Sequence, residues 1–291
     1  MVRGNDVTNL QRFRLLRIAL LLCGAAIVLI CASISWGQDF ILQPAAQSST
    51  DQSQPRGNRL VYAADLRQPG IDGLTIRYRR SWPPQFIDQC RARVKEAGDK
   101  WTLLVCSEPK SWYPPYYLAE WEALIAELGM KYAADPSLAF IHLTGVAPNA
   151  SEERHHIVTP DLEAADKRLI AAWVRAFPGK RFLFAIGNKD DAGMKRLIQY
   201  AMMLAPGRVV VKHNSLKAST NIAANHNQLV IWAGQQGAGV GFEMVGSTLE
   251  SRTGTLQGSY DKGKEVARRA GKPISYIAWY PPDSAKVGGL R

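Results

Sequence analysis

Beyond residue 34 the 291-residue chain has no apolar run long enough to cross a bilayer, which excludes a polytopic membrane protein. HExxH and CxxC spacings, a G-x-S-x-G elbow and a P-loop are all missing, so the motifs of zinc hydrolases, elbow nucleophiles and nucleotide enzymes are not available. No internal repeat is visible. Cysteine is scarce: of four, two lie in an N-terminal apolar stretch, leaving Cys90 and Cys106. Acid is outnumbered, with 25 Asp and Glu against 36 Lys and Arg, a formal net charge of +11. The basic residues are scattered rather than clustered, so no nucleic acid partner is expected, and an acidic polysaccharide is a better use of that charge. The remaining composition, 46% hydrophobic, 21% charged and 9% aromatic, is that of a globular protein with a sizeable core.

What is present divides the chain. Residues 1–17 form a basic n-region with Arg3, Arg12, Arg14 and Arg17, and 18–36 an apolar segment, uncharged from 18 to 34. This is the pattern of a signal anchor or signal peptide, so the remainder is expected in an exported, periplasmic or extracellular location, held to the membrane through its N-terminus. Residues 37–58, rich in Gln, Ser, Pro and Asp, read as a flexible linker, and 59–291 as the folded domain. In an oxidising compartment Cys90 and Cys106 are either a disulfide or two buried thiols.

Within the domain eight short apolar runs recur at 60–64, 73–78, 101–106, 138–143, 181–186, 208–213, 239–244 and 275–280, several apolar on both faces as strands of a covered parallel sheet must be. Helices are expected between them over 84–97, 118–132, 159–177, 194–204 and 259–270. The clearest starts at Thr159-Pro160-Asp161, a cap, a proline at the first helical position and early acid charge, and stops at Pro178-Gly179. Eight strands with interposed helices predict the α/β class and a (βα)8 TIM barrel preceded by one N-terminal transmembrane or signal segment, with an open doubly wound sheet as the alternative.

In such a barrel chemistry sits where strands end. Those positions supply Arg77, Glu108, Trp112, Tyr113, His142, His213, Asn214, Glu243, Trp279 and Asp283, a mixture of aromatics, carboxylates and polar donors suited to sugar faces and hydroxyls. Glu243 stands out because GVGFEM sets a carboxylate in an apolar strand, where it must be paired or hydrogen-bonded. It is either a reactive carboxylate or a structural ion pair with Arg77 or Arg79. His142, His155 and His156 do not make a metal site, and neither metal nor cofactor is expected.

The stretches GIDGLTIRYRRSW, KWTLLVCSEP, DPSLAFIHLTG, FPGKRFLFAIG, VVVKHNSL, GVGFEMVG and YIAWYPPD together resemble the strand series of glycoside-hydrolase-type (βα)8 barrels of the clan that includes cellulases and β-galactosidases. The resemblance spans about residues 59 to 285. It implies a carbohydrate-active barrel with a catalytic carboxylate ending strand 7, matched by Glu243, and a stacking Trp on strand 8, matched by Trp279. The Asn-Glu pair such barrels carry at the end of strand 4 is replaced by His142-Leu143-Thr144-Gly145, so the acid partner is sought in Glu108 and Glu153. The expected function is binding and hydrolysis of a glycan or polysaccharide; the alternative is a catalytically inactive carbohydrate-binding or envelope scaffold barrel.

Overall fold

Strands apolar on both faces need cover on both, and here they become the staves of a barrel with helices outside and side chains within. The computed structural model describes residues 41–44, 73–78, 85–105, 114–146, 158–186, 190–218, 224–244 and 255–279. The chain divides into two compact units, Met1–Gly37 and Gln38–Arg291. The first unit, with the apolar segment 18–36, lies outside the described residues. No helix among the described residues is long and apolar enough to cross a membrane.

The strands are β1 Ile41–Pro44, β2 Gly73–Tyr78, β3 Lys100–Val105, β4 Leu138–His142, β5 Arg181–Ile186, β6 Val209–Leu216, β7 Gly239–Met244 and β8 Ile274–Ala278. They are hydrogen-bonded in chain order and close into a barrel, β1 pairing in parallel with both β2 and β8. Strands β2 to β8 coincide with the sequence reading to within a few residues. The first strand does not: it is Ile41–Pro44, inside the stretch read as a tether. Phe40-Ile41-Leu42 is the one apolar run of that stretch. The expected first strand at 60–64 lies outside the described residues.

The helices are α1 Phe86–Glu96, α2 Pro114–Tyr132, α3 Pro160–Ala176, α4 Asp191–Leu204, α5 Ala224–Gln235 and α6 Leu256–Arg269. The start of α3 is built as its sequence predicts, with the Thr159 hydroxyl accepting from the Leu162 N–H at 3.3 Å and Pro160 opening the helix. Asp190 caps α4 by accepting from Gly193 N–H at 2.9 Å, and also accepts from Val158 N–H at 3.1 Å, tying the entry of α3 to that of α4. Helix α5 was not expected. Its sequence, ANHNQLVIWAGQ, crowds its apolar residues into one run and shows little helical alternation.

Two apolar layers result. The larger lies between sheet and helices and holds Trp121, Trp173, Phe177, Phe182 and Phe242; the smaller, Phe140, Leu183, Val210, Tyr276 and Ala278, fills the barrel interior. Cys90 is in the outer layer as a free buried thiol, and Cys106 lies outside the described residues. Burial pushes the Cys90 pKa up to about 12, which makes it inert as a nucleophile.

The N-terminal face of the barrel is fastened at Asp135, in the turn before β4. Its carboxylate accepts from Arg91 of α1, from Trp101 Nε1 of β3 at 3.3 Å and from Ser137 N–H and Oγ–H at 2.9 and 2.6 Å, while its carbonyl accepts from Lys180 before β5. Burial by itself would raise this carboxyl, but the Ser137 and Arg91 hydrogen bonds win and hold it at about 2. A carboxyl depressed from 3.8 to about 2 stabilises the fold above its unfolded value and loses that contribution as pH falls through its folded value. The size is roughly 2 kcal/mol. Asp135→Asn is therefore expected to lower unfolding free energy by roughly that amount at pH 7 and to flatten the loss between about pH 4 and pH 2. Denaturant titrations of both proteins across that range measure it, and parallel curves would rule the fastening out.

Candidate active site at the C-terminal mouth of the barrel

Strand alternation decides which residues share the interior. Along β7, Val240, Phe242 and Met244 join the outer layer, which turns Gly239, Gly241 and Glu243 inward. On β6, Val209 and Val211 face out, so Lys212 and Asn214 share the inner face with Val210. By the same alternation Arg77 faces in on β2, His142 on β4 and Tyr276 on β8. The register sets Lys212 beside Gly241 and Gly241 beside Tyr276.

Glu243 ends the apolar β7 because cations meet it there. Its Oε2 accepts from Lys212 Nζ, and its Oε1 lies 3.5 Å from Arg77 Nη2. Lys212 Nζ also donates to Asn214 Oδ1 at 2.7 Å and stands 5.9 Å from the centroid of the Tyr276 ring. The Tyr276 hydroxyl is 3.4 Å from Thr75 Oγ1, and the His142 ring meets the Tyr276 ring edge-on at 6.2 Å. Thr75, His142, Lys212, Glu243 and Tyr276 are buried, Arg77 is half-buried and Asn214 is exposed.

The protonation states follow. Burial pushes the Glu243 carboxyl up, but Lys212 and Arg77 overcome it and hold the group below its ordinary value, so it is ionised at neutral pH. Burial lowers Lys212, opposed by the Glu243 charge. His142 is driven well below its ordinary value, by burial first and then by Lys212 and Arg77, and stays neutral. Burial and the Glu243 charge raise the Tyr276 phenol, which stays protonated.

Glu243 meets Arg77, the pairing that the sequence left open beside a reactive role, and Arg77, His142, Asn214 and Glu243 share the inner face. Two other expectations are corrected. His213 is fully buried on the opposite face of β6 from Lys212, stacked edge-on against Phe242 at 5.3 Å and facing His226 of α5 at 6.2 Å. Burial takes its pKa down to about 3. Trp279 follows the outward parity of Ile277 and is fully buried in the outer layer, so it offers no open stacking face. Glu108, Glu153, Trp112, Tyr113 and Asp283 lie outside the described residues. The strand-end reading included Lys212 without assigning it a role and passed over Tyr276; counting by twos from Glu243 and Val210 turns both inward. Among the described residues no three His, Cys, Asp or Glu side chains gather where a metal would be held.

No family model and no curated protein matches this sequence. Solved structures do. A glycoside hydrolase family 5 enzyme from Prevotella bryantii B14 superposes with a TM-score of 0.53 at 9% identity, over 85% of this chain and 91% of that one. A structure described as a glycoside hydrolase gives 0.53 at 11% identity over 83% and 87%, and an endoglucanase gives 0.52 at 10% over 83% and 88%. The fold is that of the family 5 glycoside hydrolases. At this identity the likeness carries the barrel and not its residues. In this barrel β4 ends in His142, and the turn after it is closed by the Thr144 hydroxyl on its own strand at 3.4 Å and by Trp173 Nε1 on the Thr144 carbonyl at 3.1 Å.

A buried pair loses more when one member is removed than when both are. Lys212→Met and Glu243→Gln should each cost about 3 kcal/mol, and the double variant should lose at least about 2 kcal/mol less than the sum. Equilibrium unfolding of the four proteins tests this, and additive losses would contradict the pairing.

Proposed function

We propose that this chain is an exported, membrane-tethered glycosidase that binds a glycan at the C-terminal mouth of the barrel and hydrolyses it with Glu243. The observation that carries the proposal is an ionised carboxylate at the inner end of β7, kept in that state by Lys212 and Arg77, in a barrel with the family 5 fold. Glycosidic cleavage builds positive charge on the anomeric carbon, and an anion fixed below that carbon stabilises it or bonds to it. The ammonium of Lys212 has Asn214 Oδ1 as a second acceptor, so it keeps a partner when one Glu243 oxygen turns to the sugar. Glu108 and Glu153 are the proposed acid partners, and Trp112, Tyr113 and Asp283 are proposed to hold the sugar. The basic segment 1–17 and the apolar segment 18–36 supply the export and tethering part of the reading.

A second reading, a glycan-binding barrel without hydrolysis, is favoured by one observation: β4 ends in a neutral imidazole. The two readings separate on one assay. The full chain, purified in detergent, is incubated with β-glucan, mannan, xyloglucan and polyuronate, and released reducing ends are counted beside Glu243→Gln. Release that falls about a thousandfold or more in the variant, equivalent to about 4 kcal/mol of transition-state stabilisation, is expected. Circular dichroism verifies that the variant is folded. No release from any glycan, with glycan retention unchanged, would leave the binding barrel standing.

A further inference from the structure

The Nε2 atom of His142, in the inner polar layer, is buried without a hydrogen-bond partner among the described residues. His142 is 4% exposed, and its ring meets the edge of the Tyr276 ring. Buried imidazole nitrogens are rarely left so, and each exception asks for a reason. The surroundings give one. Leu104 of β3 and Ala185 of β5, inward residues of the two strands flanking β4, are only half-buried, so the inner face keeps some exposure toward the C-terminal ends of the strands around the imidazole. The groups that face it are Arg77 from β2, Lys212 from β6, Glu243 from β7 and Tyr276 from β8.

We propose that His142 is a substrate-positioning residue, whose neutral imidazole binds a hydroxyl group of the sugar held against Glu243 and sets the orientation of that ring. The inference rests on the glycan reading above and deepens it. Two cations share the layer with His142, so protonating it would set a third beside them, and the imidazole works as a neutral hydrogen-bonding group rather than as a proton donor. A positioning role through Nε2 makes a specific demand on its replacements. Glutamine sets an amide nitrogen near the place of Nε2, whereas leucine fills the volume with nothing that bonds.

Native affinity gels containing mixed-linkage β-glucan, glucomannan or polygalacturonate give dissociation constants for the full chain in detergent without requiring turnover. Retardation of the native protein by at least one of them is expected. His142→Leu should weaken that binding tenfold or more, His142→Gln should stay within about threefold of the native value, and both ratios should be the same at pH 5.5 and pH 8. Leucine binding as tightly as histidine overturns the assignment. So does a His142-dependent change in affinity between the two pH values, which would mean a titrating imidazole. If glutamine falls as far as leucine, the bond is not made through Nε2. Where no glycan retards the native protein, the glycan reading itself fails, an outcome separate from the other three.

Discussion

A carboxylate buried in a barrel stays charged only where cations or hydrogen-bond donors meet it, and the Lys212–Glu243 pair sets the conditions for the groups around it. The lysine must cross the interior from β6 to β7, so the β7 residue beside it has to be small. Gly241 is that residue: a Cβ there would come within 3.0 Å of Val210 Cγ1 and 3.1 Å of Lys212 Cβ. Tyr276 presents an aromatic face to the ammonium, and its hydroxyl turns to Thr75. Burial first, and then the charges already in the layer, keep His142 neutral and the Tyr276 phenol protonated.

The two faces of the barrel divide the work. At the N-terminal face Asp135 joins α1, β3 and the turns before β4 and β5 through hydrogen bonds that are all satisfied within the protein. Helices come close at small residues, as where Gly129 of α2 meets Ala176 of α3, with room for no Cβ: one would lie 2.6 Å from the Ala176 carbonyl oxygen. Polar groups at the C-terminal face are treated differently. There the pair is held and a neighbouring imidazole is left open, an arrangement suited to a partner from outside.

The barrel was legible because β2 to β8 are continuous apolar runs, and such runs suit a sheet covered on both sides. Strand β1 was not, since four residues in a polar stretch carry too little pattern to be told from a linker. Helix α5 escaped for the same lack of periodicity. Of the site, Glu243 announced itself as an acid among apolar neighbours and brought Arg77 with it. His213 and Trp279 were misassigned because strand ends were read as places, without counting which way each residue faces. Lys212 stood at the end of strand 6 without an assigned role, and only the two-residue alternation with Val210 turns it inward beside Glu243.

The same charges bear on the departure at strand 4. A carboxyl group in the place of His142 would face Lys212 and Arg77, the cations that already hold Glu243 ionised, and it would be driven down as Glu243 is. An acid so depressed has no proton to give a leaving group near neutral pH, whatever its distance from the sugar. An imidazole there suffers no such conflict, because the cations favour the neutral form in which it can hold a hydroxyl. With two cations in the inner layer, a proton donor for hydrolysis belongs outside that layer, in a segment leading out of a strand, which is where Glu108 and Glu153 stand in the sequence. The lysine on β6 and the missing acid on β4 are thus two sides of one electrostatic choice.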